Sequence, residues 1–313
     1  MDQPANTLAQ NAPVRYGGIE AGGTKFVCAI GDASLSLLER IEFPTTTPGE
    51  TLGRAIDFFR SRAENGALAA LGIGSFGPVD PRPDSPAWGY ITTTPKKGWQ
   101  HTDFAGSLGR AIDVPVGFDT DTNAAALGEG TLGAAKGLHT FVYLTIGTGV
   151  GGGALVGGTR IHGLLHPEMG HMKLPRAEGD DFEGVCPFHG DCLEGMASGP
   201  ALHARAGGPP DRLPPDHEIW THIVHYLSAA LVNITCVLSP QRIILGGGVM
   251  HQRHLFPRIR RRVQHLLADY LQSPEIVSHP ETFIVPPGLG NDAGVVGALA
   301  LARHAAGQDI GRI

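Results

Sequence analysis

One pattern occurs twice in this chain, and it sets the architecture. Val14 to Ile19 reads as a strand, Glu20-Ala21-Gly22-Gly23-Thr24-Lys25 as a turn, and Phe26 to Ile30 as the returning strand. Thr140 to Ile146 reads as a strand, Gly147-Thr148-Gly149 opens a glycine-rich turn, and Ala154 to Val156 is the return. Glycines let the backbone turn tightly and bare its N–H groups toward an anion, and the threonine adds a hydroxyl donor. Taken singly, either motif is an ordinary hairpin turn with glycine at positive φ. Two of them, each heading one half of the chain, imply two similar domains facing a cleft. Nucleotide phosphates held there account for both Gly-Thr turns.

The remaining segments alternate strand and helix, which makes the class α/β. Strands are expected at Leu37–Phe43, Leu71–Phe76, Val114–Phe118, Arg242–Leu245 and Thr282–Val285. Glu50 to Arg62 is expected as a helix, because Leu52, Ala55, Ile56 and Phe59 fall on one face. Tyr90 to Asp103 is polar and reads as a loop, with Thr102 or Asp103 capping a helix that ends near Ile112. Ser198 to Pro215 reads as loop with a short helix around Ala201. Glu218 to Leu238 is a long apolar helix, expected to be buried; Leu255 to Leu271 is a helix with a solvated basic face; Gly290-Asn291-Asp292 starts a last helix running to about Ala306.

Totals exclude several functions. A net charge of −6 at pH 7 leaves no basic surface for nucleic acid. The start, through Pro13, has neither the basic nor the apolar region of a signal peptide and is too short for a helix-turn-helix domain. No apolar run is read as long enough to span a membrane. The chain has 4 Cys, two of them in a metal-type cluster, which points to a reducing cytoplasm. Cys28 and Cys236 lie in apolar runs and are expected as buried packing residues.

The stretch from Leu165 to Leu193 carries the strongest local chemistry. Cys186, His189 and Cys192 follow one another at three-residue spacing, and His171 lies upstream. Two thiolates and two imidazoles are a ligand set for tetrahedral zinc, and four protein ligands leave no open position, so the zinc is structural. Glu168 and Glu194 sit just outside the ligands, where they can hold a polar small molecule. A second carboxylate pair, Asp119 and Asp121, precedes the helix that begins near Ala124. One of the two is expected as the helix cap, and the surplus one as a general base.

Jointly these motifs, G-G-T-K, G-P-V, D-T-N-A-A, G-T-G-V-G-G, E-M-G-H, the Cys/His cluster followed by L-E, and G-G-G-V-M, resemble the ROK family of sugar kinases and repressors. The resemblance runs from about Val14 to the last helix. Y-G-G-I-E-A-G-G-T-K, T-T-T-P-K-K-G-W and C-P-F-H-G-D-C-L-E-G look like the bacterial zinc-containing fructokinases. The resemblance implies the two-domain actin/hexokinase/Hsp70-like (ribonuclease H-like) fold. Residues 1–125, completed by a C-terminal helix at about 290–313, would form one domain; residues 126–289, with the zinc loop, the larger one.

The same resemblance implies roles. Gly22, Gly23, Thr24 and Lys25 would form the first phosphate turn, and Thr148 and Gly149 the second. Gly247, Gly248 and Asn291 would border the adenosine. Asp121 would be the catalytic base, and Asn123, Glu168, His171 and Glu194 would hold sugar hydroxyls. His171 would serve both zinc and sugar. The implied reaction is transfer from ATP, with Mg2+, to the C6 hydroxyl of D-fructose, in a cytoplasmic homodimer. Four positions depart from the commoner family pattern: Glu20 stands for Asp, Thr120 for Asn, Thr94-Pro95-Lys96-Lys97 for an Asn-containing loop, and His189 for a third Cys. The Thr120 and Lys96-Lys97 changes argue against glucose and toward fructose. Kinases for mannose, glucose or N-acetylmannosamine, a sugar-sensing regulator and a non-catalytic zinc-stabilised sugar binder are the rival readings.

Overall fold

In the computed structural model, residues 14–63, 68–208 and 213–307 are described. The first dozen residues, and with them the signal-peptide reading, lie outside this range. The chain divides into two units, one reaching to Ala124 and resumed at Gly294, the other spanning Ala125–Ala293.

The first unit is built on β1 (Arg15–Ala21), β2 (Lys25–Asp32), β3 (Leu37–Pro44) and α1 (Pro48–Ala63). It continues with β4 (Leu68–Ser75), the short pair β5 (Tyr90–Ile91) and β6 (Thr102–Asp103), α2 (Phe104–Ile112) and β7 (Val116–Thr120). The helix α3 (Asp121–Thr131) leads into the second unit. There follow β8 (Phe141–Ile146), β9 (Val150–Val156), β10 (Thr159–Arg160), α4 (Leu193–Ala197), α5 (Gly199–Ala206) and α6 (Ile219–Leu238). The unit ends with β11 (Arg242–Gly246), α7 (Leu255–Leu267), α8 (Pro274–Val277), α9 (Pro280–Phe283) and β12 (Ile284–Val285). Helix α10 (Ala293–Ala305) belongs almost wholly to the first unit.

The two main sheets have one topology. The order is β3-β2-β1-β4-β7 in the first and β10-β9-β8-β11-β12 in the second. In each, the first three strands pair antiparallel and the last two parallel. The repeated strand-turn-strand motif is the hairpin at the middle of each sheet.

Glycines in the first sheet seat the C-terminal helix. A Cβ on Gly18 of β1 would lie 3.1 Å from Leu299, and one on Gly72 of β4 would fall inside the Ala298 carbonyl. Helix α10 thereby approaches the strands at backbone distance, and its Leu299, Ala300 and Ala302 are fully buried. We expect Gly72→Ala to cost about 3 kcal/mol or more, since overpacking against backbone cannot relax by a rotamer change. Urea unfolding reads this directly, and an unchanged midpoint would show that α10 is not seated on β4 as described.

Several sequence expectations need correction. Helix α6 is 20 residues, long and apolar enough by composition alone to cross a membrane. Its Trp220, Ile223, Leu227, Ala230 and Leu231 are fully buried and form the core of the second unit, where α7 adds Leu255, Phe256, Ile259, Val263 and Leu267. Helix α7 stops at Leu267, because Ala268 takes a left-handed conformation and donates its N–H back to Gln264 and His265. Pro280–Phe283 is a helical turn, so the strand begins only at Ile284. Ser198–Pro215 holds a full helix, α5, capped by Ser198. Cys28 is buried as expected, but Cys236 is exposed, since the last turns of α6 carry it out of the core. The Tyr90–Asp103 segment closes its two ends with β5 and β6, and its Trp99 is fully buried with the indole N–H donating to the Thr46 carbonyl at 2.8 Å.

Candidate active site and metal centre

In the first unit, the Gly22-Gly23-Thr24 turn is closed by the Gly22 N–H donating to the Lys25 carbonyl at 2.9 Å. Thr45 fastens it from β3's far end, accepting nothing from it but donating its N–H to the Thr24 carbonyl at 2.9 Å and its hydroxyl to Gly22 at 2.7 Å. Neither Gly22 nor Gly23 has a positive φ, so the hairpin explanation of these glycines fails. A Cβ on Gly23 would meet nothing within 4 Å. Fold and packing leave residue 23 free to be anything; bare backbone facing open space is what an anion needs. The Lys25 ammonium is 2.9 Å from Glu42 of β3.

The same unit sorts the Asp119/Asp121 pair. Asp119 ends β7 fully buried, and its Oδ1 accepts from the Thr120 N–H and from the Asn123 side-chain amide, both at 2.8 Å. The helix is capped by neither aspartate. The Thr120 hydroxyl does so, accepting from the Asn123 N–H at 3.0 Å. Asp121 opens α3 half-buried, and its Oδ1 accepts from the Thr122 N–H at 2.8 Å. Asn123 is only 1% exposed and gives one amide hydrogen to Asp119.

In the second unit, Gly147, Thr148, Gly199, Leu202, Trp220, Gly248, Val249 and Gln252 line a cavity of about 310 Å³. It lies at the carboxyl ends of β8 and β11, with α5 and the start of α6 as its wall. A Cβ on Gly147 or Gly248 would meet nothing within 4 Å, as at Gly23. Gly247 is different. Its φ is 87°, and a Cβ there would strike the Ile146 backbone, so glycine is required by the turn itself. Asn291 is exposed on the turn that starts at Gly290. A residue the sequence reading passed over holds that turn: Glu129 of α3, fully buried, accepts N–H bonds from Ala134 at 2.6 Å and from Gly288 and Leu289 at 2.9 Å each. An acid following the Ala-Ala-Ala-Leu run of α3 was the available signal.

The metal-type residues converge. Ligand atoms of His171, Cys186, His189 and Cys192 all lie within 4.8 Å of one another. The two Nδ1 atoms are 3.2 Å apart, and the thiol sulfurs of Cys192 and Cys186 are 3.5 and 3.8 Å from the His171 Nδ1, with Cys186 3.7 Å from the His189 Nδ1. Tetrahedral zinc with ordinary bond lengths requires N···N near about 3.4 Å and S···N near about 3.6 Å. The donor set therefore fits zinc in both chemistry and spacing. Burial pushes the Cys192 thiol up to about 11, and a cation at this point would expel that proton on binding. The loop is stitched beside the cluster by Lys173, which donates to the His189 carbonyl at 2.6 Å and pairs with Asp191.

Two carboxylates flank the cluster. The Nε2 of His171 turns away from the other ligands toward Glu168, 3.9 Å from its Oε2. Glu194 heads α4, and its Oε2 accepts from the Val150 N–H at 3.0 Å. That oxygen would lie 2.6 Å from a Cβ on Gly149, so glycine here makes room for Glu194. Desolvation raises the Glu168 pKa, the neighbouring His166 lowers it, and the Glu194 charge raises it further. The carboxylate is 44% exposed, so its crowding comes from protein around an open concavity, not from enclosure. Metal cluster, Glu168, Glu194 and the Gly147–Gly149 turn thus share one unit; Gly22–Lys25, Asp121 and Asn123 belong to the other.

The model of the ROK family matches residues 16–305. A fructokinase of Pediococcus pentosaceus is 47% identical over 289 residues, 92% of this chain and 98% of that protein. A fructokinase of Zymomonas mobilis is 45% identical over 92% of this chain and 96% of its own length. The crystal structure of a ROK family glucokinase from Streptomyces griseus, in complex with glucose and AMPPNP, superposes with a TM-score of 0.71 at 25% identity, covering 94% of this chain and 100% of that one.

Proposed function

The chain belongs to the ROK family, and on that premise we propose that it is a fructokinase that moves the γ-phosphoryl group of ATP to the C6 hydroxyl of D-fructose, with Asp121 as the base. Its fold is the actin/hexokinase-like α/β fold of the ROK sugar kinases. The substrate assignment is carried by the 47% identity to a fructokinase over nearly the full length of both chains. Of the two aspartates before α3, the fold uses Asp119 and leaves Asp121 half-exposed, which supports Asp121 as the reacting group.

Phosphoryl transfer asks the protein for alignment and charge neutralisation more than for covalent help. ATP enters as its magnesium complex. The N–H groups at Gly23 and Thr24, in the turn that Gly22 closes, and those at Thr148 and Gly149 receive its phosphates, while Gly247, Gly248 and Asn291 border the adenosine. Lys25, paired with Glu42, adds positive charge at the first turn. Glu168, His171 and Glu194 accept and donate hydrogen bonds around the sugar ring. Asp121 takes the C6 hydroxyl proton as that oxygen attacks phosphorus in line, and Asn123, which gives one amide hydrogen to Asp119, meets a sugar hydroxyl with its remaining polar atoms. Zinc at His171, Cys186, His189 and Cys192 stiffens the loop that presents Glu168 and Glu194. The protein works in the cytoplasm, where ATP and reduced thiols are found, as a homodimer.

The direct test is ADP release with Mg-ATP against fructose, mannose, glucose and N-acetylmannosamine at matched concentrations, with the product located by 31P NMR. Fructose is expected to lead in kcat/KM, with phosphate on C6. A lead for glucose or an amino sugar would keep the kinase and discard fructose. No turnover with any sugar, in zinc-loaded protein, would shift the reading to a binder or sensor.

A further inference from the structure

The second unit contains a buried ionic network that touches neither proposed substrate. Asp180 lies midway along the loop between His171 and Cys186, in a run of acidic residues that reads as surface, yet its side chain is 3% exposed. Both of its oxygens accept from the Arg205 guanidinium of α5, at 2.8 Å each, and Arg205 is only 6% exposed. The Tyr226 hydroxyl of α6 donates to the same carboxylate at 2.6 Å, and the Phe182 N–H at 3.2 Å. The His222 ring, also on α6, stands 3.6 Å away. The guanidinium lies flat over Phe182, 4.1 Å from the ring centre. The loop is thus bolted to two helices at a point away from the zinc ligands.

Those two helices are the wall of the cavity that takes the nucleotide. Gly199 and Leu202 face it from α5, and Trp220 from α6. Leu202 lies one turn before Arg205 on α5, and Trp220 lies on α6 ahead of Tyr226. A charged guanidinium that loses its carboxylate while buried is unstable there, and the helix carrying it must shift to bring water to it. Leu202 would move with it.

Resting on the fructokinase reading, we propose that Asp180 is a positioning residue for the nucleotide: through Arg205 and Tyr226 it sets the wall formed by Leu202 and Trp220, and so controls ATP affinity without touching ATP. The zinc cluster and Asp180 are then two separate fasteners of one loop, the first serving the sugar side and the second the nucleotide side.

The test is a set of variants assayed for zinc content, KM for fructose, KM for ATP and the Kd of ADP by calorimetry. Asp180→Asn should keep its zinc, raise KM for ATP and Kd for ADP about ten-fold, and leave KM for fructose within about two-fold. Tyr226→Phe, which removes one hydrogen bond and keeps the ring, should raise both nucleotide constants about two- to five-fold. Asp180→Asn combined with Arg205→Met removes the stranded charge, and should bring nucleotide affinity back to within about three-fold of the parent; since the same change restores stability as well, the unmoved zinc content and KM for fructose of Asp180→Asn are what separate positioning from a general loss of stability. Parallel rises in both KM values, loss of zinc, or lowered thermal stability with unchanged nucleotide constants would each overturn the proposal. If the parent protein phosphorylates no sugar, the fructokinase reading falls, and the ADP calorimetry still decides the role of Asp180.

Discussion

Asp121→Asn should retain the fold and bind fructose within about three-fold of the parent, while kcat falls by about 10²- to 10⁴-fold, the range typical of a lost general base. The local geometry makes the substitution clean. Asparagine keeps the oxygen that accepts the Thr122 N–H at 2.8 Å, so α3 starts in the same place. What disappears is the ability to take a proton. Asp119→Asn is the contrasting variant: that carboxylate is fully buried, and while asparagine can keep the Oδ1 that accepts both N–H bonds, it puts an NH2 donor in place of the second buried oxygen. Its cost should appear in stability, at about 1–3 kcal/mol, since a buried polar group is left mispaired. Single-turnover measurements with Mg-ATP and fructose, beside thermal unfolding, separate the two. Near-native kcat in Asp121→Asn would remove that residue as the base.

Cys192→Ser should lose its zinc and much of the order of its loop. Cys192 is fully buried at the N-terminal boundary of α4, two residues before Glu194, and the residue after it ties back to the loop, the Leu193 N–H donating to the Met172 carbonyl at 2.9 Å. Zinc binding at such a site is folding free energy, because the four ligands come together only in the folded loop. Loss of about 3 kcal/mol would lower Tm by roughly 6–12 °C for a domain of this size. Fructose kcat/KM should fall by about 10- to 100-fold as Glu168 and Glu194 lose their support. Elemental analysis, calorimetry and sugar kinetics on one preparation read all three, and parent-like zinc content would strike Cys192 from the ligand set.

Much of the site could be read along the chain because its chemistry is local. Cys186, His189 and Cys192 keep a spacing that only a ligand loop needs, and His171 completes the set from the adjoining segment. The duplicated Gly-Thr motif announced the two similar sheets, since a tight turn with bare N–H groups is specified by the residues in it. Position 23 shows the limit of that logic. The sequence offered positive φ as an explanation for its glycine, and only the backbone, with no positive φ and open space beyond, removed it.

Buried polar residues were the least legible. Asp119, Glu129 and Asp180 have the composition of surface residues, and Asn123 that of a ligand contact. Each carries a polar side chain whose partners come from backbone or side chains brought near by folding. Asp180 finds Arg205 across 25 residues and Tyr226 across 46, and Glu129 finds Leu289 across 160. The membrane-length composition of α6 likewise acquires its meaning only when α7 and the sheet cover it.

By itself, then, the sequence determined the α/β class, the twofold internal pattern, the metal-type His/Cys donor set and the family, because turns, helical faces and ligand spacing are properties of neighbouring residues. The tertiary structure alone decided which polar side chains are buried beside which partners: Asp119 under Asn123, Glu194 against Gly149, Glu129 under Gly288 and Leu289, and Asp180 on Arg205. The physical reason is that a charge or an amide has no fixed role until burial removes water and leaves it the partners that folding supplies.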